Sequence, residues 1–252
     1  MSNFARIGIA AAAVLAIAVI GVNLLPGQGP GVGQGPSPSP TATATATPSP
    51  SPVPVPSRAA RKIPFSGDLG AGTFYIEDRS ITNAERFTFT VPDGWKTDSS
   101  TFISKNGKEL LTPWVVSHIF SDACQWEGDR NLVDVGTTVD ELVSALEDQE
   151  GRQASSPTDV TVGGFPATRI ELTVPADLDT ATCTNGNLRY WPGAGPDMGS
   201  GLCCNQPGNT DALNVVDIDG RRLVVVARHY PDSSAEDRAE LQAVVDSIEI
   251  DP

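Results

Sequence analysis

Histidine and basic charge are both scarce in this 252-residue chain. It has two histidines, and its 17 Lys and Arg against 31 Asp and Glu give a formal net charge of −14. Such an acidic surface repels phosphate groups, which argues against nucleic acid as a partner. The sequence also lacks a nucleophile elbow, a Walker loop, an H-E-x-x-H sequence, a Rossmann fingerprint and an EF-hand loop. No catalytic residue, metal site or cofactor is therefore predicted, and we expect a protein that is not an enzyme.

Charged side chains are wholly absent from Ile7 to Leu25. Nineteen helical residues span about 28 Å, close to the ~30 Å hydrocarbon core of a bilayer. Arg6 precedes the segment and the next basic residue is Arg58, so the positive-inside rule keeps the N-terminus in the cytoplasm. We predict a cytoplasmic stub at residues 1–6 and an uncleaved transmembrane signal anchor in the lipid bilayer at residues 7–25. A cleaved signal peptide is the alternative.

Large apolar side chains are nearly missing from the next segment, which is rich in Pro, Gly, Ser, Thr and Ala. A chain with so little to bury cannot offset the entropy of ordering, so residues 26–60 are predicted to be a disordered stalk. By composition the stalk is either an O-glycosylated spacer or an unmodified one. The remainder, residues 61–252, is predicted to be an extracellular domain.

Hydrophobic periodicity predicts an α+β fold with a mostly antiparallel sheet and two packed helices. Thr138 and Glu141 form a T-x-x-E capping box that begins one helix, with Gly151 expected to end it; the other helix is predicted from Ser234 to Ser247. Trp95, after a Pro-Asp-Gly turn, is expected in the core. The predicted strands are Gly72–Ile76, Arg86–Val91, Thr101–Ser104, Pro113–Phe120, Thr158–Val162, Phe165–Val174, Leu213–Ile218, Arg221–His229 and Ile248–Ile250.

Two stretches resemble a known group. FTFTVPDGW at Phe87–Trp95 and AVVDSIEI at Ala243–Ile250 are similar to the PsbP-like fold of photosystem extrinsic subunits and many bacterial exported domains. The whole chain resembles actinobacterial membrane-anchored proteins of unknown function that carry such a domain. The resemblance implies a binding or scaffolding domain, and it supplies no catalytic residues. It does not extend to Pro175–Asp211.

Four cysteines in an exported domain predict two disulfides. They are Cys124, Cys183, Cys203 and Cys204, and three pairings are possible. Joining the neighbours Cys203 and Cys204 requires a strained eight-membered ring, so we favour the two pairings that tie each of them separately to Cys124 or Cys183. A zinc site that includes His118, or a redox pair of the adjacent cysteines, is the alternative; neither has C-x-x-C spacing.

The stretch from Pro175 to Asp211 is the candidate contact region. A long loop without secondary structure is usually functional or disordered, and three cysteines argue against disorder. Tyr190 and Trp191 then form either an exposed recognition surface or a plug on the open face of the sheet. Trp126 joins them if Cys124 bonds into the loop. His229 is a further tentative ligand contact, and His118 is expected to be structural.

The layout predicts a membrane-tethered extracytoplasmic binding or sensing module. Its partner is an envelope protein, a glycan or a small ligand. The alternatives are a cell-envelope hydrolase that uses carboxylates and His229, or a purely structural envelope protein. Asp217, Asp219 and Gly220 resemble half of a calcium loop but are better explained as a hairpin turn, and the pair Asp177 and Asp179 as solvated.

Overall fold

The computed structural model describes residues 59–127, 131–193 and 201–252, with the side chain of Cys204 left out. The predicted stub and anchor, and the stalk up to residue 58, lie outside the described residues. No helix within the described residues is long and apolar enough to cross a membrane.

The described chain is mixed α+β. Its helices are α1 (Arg79–Thr82), α2 (Val139–Glu147) and α3 (Ala235–Asp246). Two 3-10 turns lie at Thr180–Thr182 and Thr184–Gly186. In chain order the strands are β1 (Arg61–Lys62), β2 (Gly67–Leu69), β3 (Gly72–Ile76), β4 (Arg86–Val91), β5 (Trp95–Asp98), β6 (Phe102–Lys105), β7 (Glu109–Trp114), β8 (His118–Phe120), β9 (Leu132–Asp134), β10 (Gln153–Ala154), β11 (Thr158–Val162), β12 (Phe165–Thr173), β13 (Leu188–Arg189), β14 (Cys203–Asn205), β15 (Thr210–Ile218), β16 (Arg221–His229) and β17 (Glu249–Asp251).

One large sheet organises the domain. Its strand order is β10-β12-β15-β16-β7-β6-β5-β2, and β11 pairs with β12 outside this path. A smaller sheet has the order β1-β3-β4-β17, in which β1 and β3 are parallel. The other pairs of described strands are antiparallel, as predicted.

The centre of the large sheet is buried on both faces. One face packs with α3 and the smaller sheet into a first core that includes Trp95, Phe87 and Phe89. The opposite face packs under α2 and the segment that contains Tyr190 and Trp191, which form a second core. Because both faces are covered, the central strands β15 and β16 are almost continuously buried: every residue from Asp211 to Val216 and from Arg222 to Arg228 is buried.

Local chemistry sets several element boundaries where they were predicted. The Thr138 hydroxyl accepts the Glu141 N–H at 3.3 Å, and the Glu141 carboxylate accepts the Thr138 N–H at 3.0 Å, so the capping box begins α2. Gly163–Gly164 and Asp219–Gly220 both have positive φ and close the two hairpins.

Trp95 is 1% exposed and its indole N–H donates to Glu240 at 2.7 Å. The core-anchor prediction for Trp95 is thus confirmed.

Several elements differ from the prediction, and the short helix α1 is a third helix where two were predicted. Helix α2 ends at Glu147 with Asp148 as its C-cap, so Gly151 does not terminate it. The predicted strand Pro113–Phe120 is two strands, because β7 stops at Trp114 and β8 begins at His118. Pro113 is tolerated inside β7 because β6 pairs only as far as Leu111, which leaves that side of Pro113 without a strand partner.

Arg222 holds the break between β7 and β8 in place. It is buried, and its guanidinium donates to the carbonyls of Val116, Val135, Gly136 and Thr138. Burial lowers the pKa of Arg222, and the nearby Glu141 carboxylate opposes that shift. One cation thereby joins the break to the start of α2.

The disulfide of the described chain joins Cys124 to Cys183, 59 residues apart. Both favoured pairings, which tied these two cysteines to Cys203 and Cys204, are therefore wrong. Cys203 is also disulfide-bonded, whereas the Cys204 side chain lies outside the description. The pairing depends on the fold rather than on spacing: Thr184 N–H donates to the Cys124 carbonyl at 2.8 Å, which brings the two segments together.

Candidate ligand-binding cleft

Tyr190 and Trp191 do not form an exposed surface. They are 0% and 1% exposed and pack in the second core, as in the plug interpretation. A ligand contact at Tyr190 or Trp191 stays a prediction. Backbone hydrogen bonds hold the segment against the sheet: Tyr190 N–H donates to the Leu202 carbonyl, and Phe120 N–H donates to the Tyr190 carbonyl, both at 3.0 Å. The predicted loop contains the two 3-10 turns and the β13–β14 pair, which let it close over the second core.

Trp126 joins this segment, as expected if Cys124 bonds into it. Its indole N–H donates to the Asn187 carbonyl at 2.8 Å, and the Arg189 guanidinium lies 4.0 Å from its ring centroid. These contacts give Trp126 a structural role. A ligand contact at Trp126 stays a prediction.

Tyr190 belongs to a buried polar cluster. Arg152 lies over its ring at 3.8 Å, and Arg228 forms a bidentate pair with Asp211, with N–O distances of 2.7 and 3.2 Å. Burial and the nearby Asp211 charge raise the pKa of the Tyr190 hydroxyl well above its ordinary value. Burial alone would lower the pKa of Arg228, but Asp211 outweighs it and the pKa is raised. Neither group titrates near neutral pH, so the cluster is suited to structure rather than to acid–base chemistry.

His229 does not meet a carboxylate within the described chain. Its Nδ1 is buried and has no hydrogen-bond partner there, and it forms no ion pair with a described Asp or Glu. The histidine–carboxylate pair that the hydrolase alternative requires is therefore not formed among these residues. A ligand contact at His229 stays a prediction.

The acidic loop pairs act as turn and cap residues. The Asp217 carboxylate accepts the Gly220 N–H at 2.6 Å, which is the hairpin-turn interpretation, and Asp179 accepts the Ala181 N–H at 3.0 Å. Among the described residues no three His, Cys, Asp or Glu side chains are grouped closely enough to hold a metal ion.

A cleft of about 360 Å³ opens where β7 breaks, and we call it the aromatic cleft. Its walls come from α1, the turn before β6, the end of β7, the β7–β8 break and the chain after Tyr190. It is lined by Ser80, Ile81, Ser99, Thr101, Phe102, Pro113, Trp114, Val115, Val116, Ser117, His118, Trp191, Pro192 and Gly193.

Edge-to-face aromatic contacts build one wall of the aromatic cleft. Phe102 meets Trp114 with ring centroids 5.9 Å apart, and Trp114 meets Trp191 at 6.0 Å. Tyr190 supports Trp191 from behind at 5.9 Å. Offset and edge contacts of this kind fix ring positions, so the wall is rigid before any ligand arrives. Val115 adds an apolar side chain that is 40% exposed.

The polar groups of the aromatic cleft are uncharged hydroxyls and one histidine. His118 is half-buried, and its Nδ1 lies 3.0 Å from the Ser117 hydroxyl. The indole nitrogens of Trp114 and Trp191 are buried and have no hydrogen-bond partner in the described structure. An unpaired buried donor costs about 1–3 kcal/mol, which a hydrogen-bond acceptor that reached either nitrogen would recover. The arrangement can bind and orient a ligand. Its one hydroxyl–imidazole contact joins Ser117 to His118, and no Asp or Glu lines the cleft.

The turn beside the aromatic cleft is strained. Ser99 and Ser100 both have left-handed backbone angles, with φ of 56° and 60°. Such conformations in residues other than glycine cost about 1–3 kcal/mol each and cluster at functional sites. Ser99 and Thr101, on either side of Ser100 in this β5–β6 turn, both line the cleft.

Of the residues in this cleft, Trp191 is a contact candidate predicted from the sequence, and His118 is predicted to be structural. Phe102 and Trp114 were missed because both lay inside predicted strands, where an aromatic side chain normally belongs to the core. The adjacent Pro113 was the available signal, since a proline in a strand often marks a local loss of pairing.

Comparison with known proteins gives distant likenesses. No protein family matches the chain, and no curated protein matches it. It is similar to the solution structure of cyanobacterial PsbP (CyanoP) from Synechocystis sp. PCC 6803, with 13% sequence identity and a TM-score of 0.34 over 72% of this chain and 94% of that one. It is also similar to LpqN, a protein involved in cell envelope biogenesis of Mycobacterium tuberculosis, with 13% identity and a TM-score of 0.33 over 74% and 91%. TM-scores this low carry no argument about the present chain.

Proposed function

We propose that this protein is a membrane-tethered, extracytoplasmic binding module whose aromatic cleft takes a neutral, partly apolar small molecule. The observation that carries the proposal is the lining of the cleft: a rigid aromatic wall faces hydroxyl groups, and no lining side chain is an Asp, Glu, Lys or Arg. The tether is the part of the proposal that comes from the sequence alone.

The ligand is neutral because a buried charge is costly without a counter-charge. The volume of about 360 Å³ is at the small end of ordinary ligand sites. Apolar faces of the ligand would stack on Trp114 and Phe102, while its polar edge would meet the hydroxyls of Ser99, Thr101 and Ser117. A wall of apolar surface with a few convergent polar groups is the usual composition of a small-molecule site.

The test uses the full chain in lipid nanodiscs and a panel of neutral ring-containing fragments with charged analogues, observed by saturation-transfer NMR against empty nanodiscs. Thr101→Trp should fill the mouth of the cleft and abolish binding of the neutral fragments. Thr161→Trp is the matched control, since Thr161 is exposed on β11 away from the cleft. Equal binding of the charged analogues, or fragment binding that survives in Thr101→Trp, would contradict the proposal.

A structural envelope protein is the competing function. It predicts no fragment binding by the wild-type chain and no effect of Thr101→Trp beyond a change in stability. Thermal unfolding of both tryptophan variants separates that case from a loss of binding.

A further inference from the structure

A second concave surface lies between α2 and the paired strands β8 and β9. It is an open groove of about 600 Å³, which we call the acidic groove. It shares no lining residue with the aromatic cleft: His118 lines the cleft, whereas its neighbour Ile119 lines the groove. Successive residues of β8 thus face two different sites.

The charge of the acidic groove has one sign. Asp134, Asp140, Glu141 and Asp148 line it, without any Lys, Arg or His. Glu141 is committed to the capping box, and Asp134 accepts the Gly136 N–H at 2.9 Å. Asp140 and Asp148 are exposed and make no side-chain hydrogen bond or ion pair within the described structure. Two carboxylates without an ion pair therefore remain available to a partner.

An unpaired acceptor lies in the wall of the same groove. Gln149 lines it and is only 3% exposed. Its Nε2 donates to the carbonyls of Phe120 and Tyr190, and its Oε1 is buried without a donor in the described structure. Buried acceptors are normally satisfied, so this atom is an independent indication that a hydrogen-bond donor binds here.

The groove also has an apolar component. Val133, one of three exposed large apolar residues in the described structure, is 38% accessible on its rim, and Ile119 and Ala145 lie beside it. A hydrated metal ion or a small polyamine would leave Val133 uncovered, and the described structure has no cluster of three metal-ligating groups. The occupant must present positive charge and apolar surface together.

We propose that the acidic groove docks a basic, amphipathic segment of a partner protein. Its Lys or Arg side chains pair with Asp140 and Asp148 and donate toward Gln149, while an apolar residue covers Val133. The long aliphatic stems of Lys and Arg suit such a mixed surface, because they pack on apolar groups while the charged end reaches a carboxylate.

The test measures binding of a fluorescent helical lysine–leucine peptide to the full chain in nanodiscs of zwitterionic lipid, by anisotropy at low ionic strength, with empty nanodiscs as the blank. Asp140→Asn/Asp148→Asn should weaken binding by roughly tenfold, as expected for the loss of two exposed ion pairs. Asp159→Asn/Asp177→Asn is the matched control, because it removes the same charge from exposed positions outside the groove. It should leave the affinity within about twofold of the wild type.

Val133→Ser separates an amphipathic partner from simple charge attraction, and we expect it to weaken binding severalfold. An equal loss in the control pair would mean attraction to net charge alone and would overturn the proposal. Unchanged affinity in Val133→Ser, or no binding by the wild-type chain, would overturn it as well. Binding of the unaltered peptide to Thr101→Trp should persist, because the two sites share no residue.

Discussion

Removal of the Cys124–Cys183 disulfide should destabilise the domain by about 4 kcal/mol. The bridge spans 59 residues, and in the chain-entropy model a loop of this length restricts the unfolded chain by that amount. A typical domain is stable by only ~5–15 kcal/mol, so the loss is a large fraction of the total. Alanine is the suitable replacement because both cysteines are buried, with exposures of 8% and 5%.

The measurement is urea unfolding of wild type and Cys124→Ala/Cys183→Ala, followed by tryptophan fluorescence. Trp95 and Trp191 are each 1% exposed and lie in different cores, so the emission reports both of them. The midpoint should fall while the dependence on urea rises modestly, since the open chain exposes more surface. A loss below about 1 kcal/mol would refute the reasoning, because the disulfide would then not act by restricting the entropy of the 59-residue loop.

Two further predictions use the same urea assay. Arg228→Met leaves the Asp211 carboxylate buried without its partner and should lower the free energy of unfolding by about 3–5 kcal/mol. Asp211→Leu/Arg228→Met removes both charges and should lower it by less. The opposite order would show that the pair itself is strongly favourable. Hydrogen bonds from Thr138 and Thr137 lower the pKa of Glu141 below its ordinary 4.5. The ionised Glu141 carboxylate therefore makes its full contribution to the free energy of unfolding above pH 4.5, and this contribution is lost as the pH falls through the lowered pKa. Glu141→Gln should make the free energy of unfolding less dependent on pH in the acid range. An unchanged pH profile would contradict the role given to Glu141.

Short-range features of the fold were predictable from the sequence. Asp219–Gly220 and Gly163–Gly164 need only their own backbone preferences to define two hairpins. The Thr138–Glu141 capping box is equally local, because both hydrogen bonds lie within four residues. The alternation in β4 and the apolar stripe of α3 likewise predicted the elements that form the first core.

The candidate sites depend on contacts that sequence patterns do not contain. Trp114 becomes a cleft wall only because β7 breaks after it, and that break is held by Arg222, more than a hundred residues away. The burial of Tyr190 follows from backbone bonds to Phe120 and Leu202, which no periodicity encodes. The cysteine pairing failed for the same reason.

The burial of β15 and β16 on both faces has a consequence for how the strands find their alignment. In a sheet with one buried face and one exposed face, slippage by one residue is penalised because it turns apolar side chains toward water. Here the valines from Val224 to Val226 would stay buried after such a slip, so hydrophobicity alone does not penalise it. What changes is the partner of Arg228: it lies opposite Asp211 in the native pairing and would lose that carboxylate if displaced by one position. The buried ion pair and the Asp219–Gly220 turn therefore select the native register among alternatives that bury similar apolar surface.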